Sequence, residues 1–405
     1  MKKKVLGVAT VALLAMGLTA CGANPAADPA PAPDATAAGS DSEIVIGASL
    51  CLTGIQSPLD EPILRGAQLA VDEINTNGGV LGKQLKLVNL DGKSDPVVVG
   101  NNGEQLTAQG AAAIITPADF DFGGPASRAA QAAGIVGISP GASSPLFGAA
   151  TLGDKQFTLS MWNTTMGAAA AEWAYNERGL KKAYVVTDSF IDYTTSLSEY
   201  FIESMEHQGG TIVGQDTYTQ GDQNFSAQLQ RLKTAGSDAD VIFVSSYMPD
   251  LGLIIRDIRA AGIDTPIFGG DSYDDPELAK VLGAEFGNDI TYATHAYLSE
   301  EASALVPDFL SLYEKAHGEE PDTALVANGY DTVNVLAQAM EAAGSTDGAA
   351  VAAKMTSMKF ELLTGNLTWS AETGNEPQKE AVLVSLDKGE PKFNGWLMPQ
   401  WVPAA

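Results

Sequence analysis

Two neighbouring stretches constrain this chain more than any others. Residues 111–125 and 134–145 each open on a short apolar run, Ala111-Ala112-Ala113-Ile114-Ile115 and Gly134-Ile135-Val136-Gly137-Ile138, and each stops at Pro, Gly and small polar residues. Runs of that length, bounded in that way, read as buried strands of a parallel sheet. Between them residues 126–133 are small and of helical composition, and Pro125 suits a helix start. The order is strand, loop, helix, strand, loop. In open α/β sheets ligands bind beyond the carboxyl ends of the strands, so these two loops are where a site is expected.

The same alternation runs through the rest of the chain. An apolar strand at 44–50 ends at Thr53-Gly54, and a helix is expected from Asp60-Glu61-Pro62. Ile63, Ala67, Ala70, Val71 and Ile74 fall on one face of that helix, and Gly78-Gly79 stop it. Residues 85–90 form a second strand, and Asp95-Pro96 opens a further helix. A second series follows: a helix at 168–175, strands at 183–187, 211–218, 241–245 and 267–269, and helices at 196–207, 225–234 and 251–261. From about 307 the pattern turns helical, with 324–343 the longest run, and strand-like runs at 365–369 and 381–386 close the chain. A lone strand after helices implies that the chain crosses between lobes more than once. The fold class is α/β, with two doubly wound parallel-sheet lobes. A length of 405 residues accommodates both.

Composition removes several function classes. Acids outnumber bases by 50 to 23, a net charge of −27, which argues against nucleic acid and anionic surfaces as partners. Three scattered His and two Cys make no metal-ligand cluster, and no cofactor is called for. Gly137-Ile138-Ser139-Pro140-Gly141 has the spacing of a hydrolase nucleophile elbow. However, the residue after the nucleophile must donate a backbone N–H to the oxyanion hole, and Pro140 has none. Gly78 to Lys83 resembles a phosphate loop only superficially, because its Gly spacing is wrong and Gln84 replaces the Ser or Thr that would hold magnesium. It reads as a turn.

The amino terminus reads as an export signal. Lys2-Lys3-Lys4 precedes an apolar run at 5–18, and Leu18-Thr19-Ala20-Cys21 follows. This resembles the bacterial lipoprotein signal, in which the Cys, here Cys21, is acylated and becomes the mature terminus. Residues 22–42, rich in Ala, Pro and Asp, read as an extended tether. Cys51 is then the remaining thiol, a small core residue with no disulfide partner.

Several motifs together carry a family resemblance: Thr53-Gly54, Gly66-Ala67-Gln68-Leu69-Ala70, Asp72-Glu73-Ile74-Asn75 and the run Asn77 to Gly82. Asp95-Pro96, Ile138 to Pro145, Asp222 with Phe225-Ser226, and Tyr330-Asp331 continue the series in order. The chain resembles the branched-chain amino-acid-type periplasmic binding proteins. The resemblance implies a Venus-flytrap of two lobes joined by three crossovers, with 43–163 plus 295–376 in one lobe and 164–294 plus 377–405 in the other. It implies a monomer that closes on a small-molecule ligand and delivers it to an ABC permease, held outside the cytoplasmic membrane by lipid on Cys21. The crossovers are expected near 162–165, 293–296 and 375–379.

For the site, the resemblance implies backbone and hydroxyl contacts from Gly141, Ala142 and Ser143, aromatic walls at Tyr193 and Tyr247, and an acid for a ligand amino group at Asp271. Where relatives carry small hydroxyl residues, this chain has Asp119-Phe120-Asp121-Phe122. Asp119, Phe120 and Asp121 are candidate ligand contacts, and the alternative is that an Asp caps the following helix while the Phe rings pack inward. A second class of function stays open: a ligand-sensing lipoprotein domain that signals to a membrane receptor. A secreted enzyme is disfavoured, since no convincing catalytic set is present.

Overall fold

The computed structural model describes residues 42–222 and 224–405. The expected leader, Cys21 and all of the tether but Ser42 lie outside the described residues. The first lobe is built in chain order from β1 (Glu43–Ala48), α1 (Ser57–Thr76), β2 (Gln84–Asn89), α2 (Pro96–Ala108), β3 (Ala113–Ile115), α3 (Phe120–Ala133), β4 (Val136–Ser139), the short α4 (Ala149–Leu152) and β5 (Gln156–Thr158). Its five strands are parallel, in the order β2-β1-β3-β4-β5. Ile46 faces Ala113 and Ala113 faces Val136, so the two organising stretches lie side by side in the sheet. Ile115, Val136 and Ile138 are buried on one face of the sheet and Ile114 on the other, as a doubly wound sheet requires.

The second lobe holds α5 (Asn163–Glu172), β6 (Lys182–Asp188), α6 (Asp192–His207), β7 (Thr211–Tyr218), α7 (Ser226–Thr234), β8 (Val241–Ser245), α8 (Asp250–Ala260), β9 (Ile267–Gly269), α9 (Pro276–Phe286) and β10 (Ile290–Thr294). The chain then returns to the first lobe. There it forms α10 (Val306–His317), α11 (Leu325–Ala343), α12 (Gly348–Met355) and a three-stranded antiparallel sheet of β11 (Lys359–Leu362), β12 (Gly365–Ser370) and β13 (Glu376–Gln378). It crosses again to finish with β14 (Ala381–Asp387) and β15 (Glu390–Leu397), giving a second sheet in the order β15-β14-β10-β9-β8-β6-β7.

Three local readings of the sequence are corrected here. The C-terminal strand is not alone: β15 pairs antiparallel with β14 around a turn in which Lys388 and Gly389 take positive φ. Glu390, Lys392 and Asn394 break the apolar pattern of β15 because it is the edge strand. Helix α1 begins at Ser57 rather than near Asp60. Pro58 serves its first turn, and the Asp60 carboxylate turns inward to accept the backbone N–H groups of Cys51 (2.8 Å) and Ala118 (3.1 Å). Helix α3 begins at Phe120, five residues ahead of Pro125. Asp119 takes an extended conformation at the N-cap, and the Gly123 N–H closes the first turn on Asp119 O at 2.7 Å. Pro125 falls inside the helix, where its missing N–H leaves one rung unmade.

Two packing features hold the lobes' geometry. Helices α1 and α11 cross at glycines: a Cβ on Gly66 would lie 1.8 Å from Val326 O, and one on Gly329 would lie 1.9 Å from Ile63 O. Near the third crossing, buried Lys379 donates from Nζ to Leu159 O (3.2 Å) and Thr364 Oγ1 (2.8 Å), which links the first crossing to the third. Burial pushes this ammonium down to about 7, opposed by the charge of Asp331.

Candidate functional site

The loops that follow β1, β3 and β4 in the first sheet meet those that follow β6, β8 and β9 in the second. Gln56, Asp119 and Gly141 come from the first lobe, and Tyr193, Tyr247, Asp271 and Ser272 from the second. Each stands just beyond the carboxyl end of its strand, where a doubly wound sheet leaves backbone ends free to face a ligand. A cavity of about 20 Å³ lies between them, lined by Leu59, Ala118, Asp119, Gly141, Tyr193, Tyr247, Asp271, Ser272 and Leu325. That is room for about one water, so the lobes stand closed on each other.

Hydrogen bonds cross directly from lobe to lobe. The Tyr247 hydroxyl donates to Asp119 Oδ2 at 2.6 Å, and Gln56 Nε2 donates to the same oxygen at 2.7 Å and to the Tyr247 hydroxyl at 3.2 Å. At the rim, the Asp192 N–H donates to Asp121 Oδ2 at 3.0 Å, and the Ser144 hydroxyl donates to the Asp192 carboxylate. On another face, Asp274 Oδ2 of the second lobe accepts the Ala324 N–H at 3.0 Å. Tyr193 and Tyr247 meet edge to face, with centroids 6.1 Å apart. Burial raises both phenols well above their ordinary range, so they remain protonated donors.

The acids of the site are unequal. Burial pushes Asp119 up to about 6 against the hydrogen bonds from Tyr247 and Gln56, with the charges of Asp271 and Asp121 adding to the rise. Burial pushes its neighbour Asp60 up to about 7. Asp271 Oδ2 lies 2.6 Å from Nε2 of the buried His295. The two are in close contact, but His295 Nε2 makes no aligned hydrogen bond. His295 Nδ1 is 3.3 Å from Ser160 Oγ, and these two residues lie where the chain passes between the lobes.

Of the residues singled out from the sequence, the cavity brings together Asp119, Gly141, Tyr193, Tyr247 and Asp271. The others stand behind or beside it. Phe120 packs near Ala142, Phe147 and Leu152, with Arg128 over its ring at 5.8 Å. Ala142 is buried in that cluster, and Asp121 forms the rim bond to Asp192. Ser143 is buried, its hydroxyl has no partner, and its carbonyl accepts the Asn163 N–H at 2.6 Å. Asp119 occupies the N-cap of α3 without a capping bond, so its side chain serves the cleft rather than the helix. Ser139, the candidate elbow serine, donates to Pro117 O at 2.8 Å and accepts the Ala142 N–H, a loop-fixing role.

A family model described as "Periplasmic binding protein" matches residues 43–391. The chain belongs to the periplasmic binding proteins. It is 27% identical over 374 residues to "Leu/Ile/Val-binding protein homolog 1" of Brucella melitensis, covering 90% of this chain and 91% of that protein. Among solved structures it is similar to the branched-chain amino acid transporter substrate-binding protein LivJ of Streptococcus pneumoniae, in complex with isoleucine. There the TM-score is 0.80 at 29% identity, over 88% of this chain and all of the other. The leucine-binding protein LivK of Thermotoga maritima gives a TM-score of 0.79 at 27% identity, over 88% of this chain and 99% of the other.

Some residues at the cleft of this periplasmic binding protein escape sequence reasoning. Gln56, fully buried with Oε1 unpartnered, follows the first strand by a few residues, and only its place after Thr53-Gly54 hints at it. Ser272 is hidden by its bland type. His295 falls in the stretch 293–296, which is expected from the sequence only as a crossover.

Proposed function

We propose that the chain is the extracytoplasmic substrate-binding component of an ABC importer, capturing an amino acid or similarly sized polar or aromatic compound by hinge closure. The observation that carries this reading is the cavity lined by strand-end loops of both lobes, with Tyr247 bonded across it to Asp119. Ligand contacts on both sides favour the closed arrangement, which is the coupling that hinge closure needs. A molecule larger than water enters only when those cross-lobe bonds open. The names of the Brucella, Streptococcus and Thermotoga proteins support the amino-acid class. On this reading the chain binds without catalysing, works as a monomer, flexes where its three crossings join the lobes, and is anchored by lipid on Cys21 beside its permease.

The experiment is a thermal-shift screen of the full chain against amino acids, amides, amines and aromatic acids. A true ligand at ~100 times its Kd stabilises by about 2.7 kcal/mol. Loss of cellular uptake of that compound on deletion of the gene is the expected companion result. Normal uptake in the deletion strain would contradict the importer role.

A further inference from the structure

The polar groups around the cleft are sorted by kind, and this bears on which ligand the proposed binding function serves. Its side-chain donors are already engaged. The Tyr247 hydroxyl is used on Asp119, and the Gln56 amide N–H groups on Asp119 and Tyr247. The Tyr193 hydroxyl donates to Ser272 Oγ at 3.2 Å, and the Ser272 hydroxyl to Ser246 O at 2.8 Å. The atoms at the cleft that stay free to bond include several acceptors. Both bonds to Asp119 land on Oδ2, which leaves Oδ1 without one. Gln56 Oε1 is buried without a partner although its amide touches two lining side chains. The Asp271 carboxylate lies 2.6 Å from His295 Nε2 and also faces the Tyr193 hydroxyl.

Positive charge is scarce by the same count. None of the nine lining residues is basic, and the neighbouring His295 contacts Asp271 from behind the cavity. The start of α3 would ordinarily attract an anion through its free N–H groups. Here Asp121 places a carboxylate in the first turn of that helix, which weakens the field for an incoming anion. Buried hydroxyls left unpartnered and able to donate, such as those of Ser143, Thr116 and Thr294, do not line the cavity.

From this we infer that the cleft selects a small organic cation bearing ammonium, amidinium or guanidinium N–H groups and no free carboxylate, held between Asp119 of one lobe and Asp271 of the other. The inference rests on the proposed binding function and narrows its ligand class. Two carboxylates facing each other across a closing cleft repel until a cation lies between them, so such a ligand also draws the lobes together.

The test is titration calorimetry of the full chain with putrescine, agmatine and benzamidine against leucine, isoleucine and glutamate. At least one cation is expected to bind the wild type ten times more tightly than any zwitterion. Asp119→Asn and Asp271→Asn, each nearly isosteric, are expected to weaken that cation by about 30-fold or more. Their melting curves report whether the variants fold, and Asp119→Ser is expected to gain relative affinity for leucine. Tighter binding of a zwitterion by the wild type overturns the cation and leaves the binding function standing. Binding of no probe in either class overturns both. Cation binding that both Asn variants retain overturns the two-acid site.

Discussion

Replacing Gly66 or Gly329 by Val is expected to lower the melting temperature by about 5–10 °C or to abolish a cooperative transition, the largest stability loss anticipated for any single site. Inside an exposed helix, Gly to a residue with a side chain usually gains helix propensity. At these two positions the added Cβ has nowhere to go. It meets a backbone carbonyl oxygen of the facing helix at 1.8 Å for Gly66 and 1.9 Å for Gly329. Backbone cannot rotate aside as a side chain can, so α1 and α11 must move apart and strip Ile63, Ala67 and Val333 of their packing. Thermal melts of the two variants check this. An unchanged melting temperature in both would mean that the helices do not cross at these glycines.

Stability is expected to rise, not fall, as the pH is lowered from 7 to 5. Burial raises Asp60 and Asp274 to about 7, and Asp119 and Asp188 to about 6, from an ordinary 3.8. For a carboxyl whose folded pKa is raised, the folded chain binds more protons than the unfolded one between the two values. Its contribution is therefore complete below the unfolded pKa and is lost as pH climbs through the folded one. Four such groups make the protein several kcal/mol more stable at pH 5 than at pH 7. Lys379, pushed down to about 7, acts in the opposite sense, but mainly above pH 7, so the window below is set by the carboxyls. The formal net charge of −27 adds to the same trend, because acid relieves self-repulsion. Asp60→Asn separates the two effects: it should flatten the profile while leaving most of the net charge in place. A melting temperature that falls steadily from pH 7 to pH 5 would show that the fold does not raise these carboxyls.

The architecture was legible because both lobes repeat one physical pattern. Short apolar runs such as 111–115 and 241–245 can be buried on both faces only in parallel sheets, and each is followed by an amphipathic or small-residue helix. The start of α1 was misplaced because Asp60 has the residue type of a helix-start acid but is used inside the fold. The start of α3 was misplaced because a proline, normally a boundary, was accepted within the helix. Strand β15 was invisible because an edge strand need not alternate. At the site, residues whose type already suggests chemistry, Tyr and Asp, could be picked out once their strand ends were placed. Gln56 and Ser272 could not, since their roles come from partners 63 and 79 positions away.

Lobe closure driven by a bound small molecule is the central claim, and solution X-ray scattering tests it most directly. The full chain is measured alone and then saturated with a compound that the thermal-shift screen has identified. Without ligand, a more open average is expected, because no ligand contact links the two sides of the cleft. With ligand, the radius of gyration should decrease and the curve should approach that of the closed arrangement in which Tyr247 meets Asp119. An identical radius of gyration in both states, with saturation verified by calorimetry on the same samples, would contradict closure.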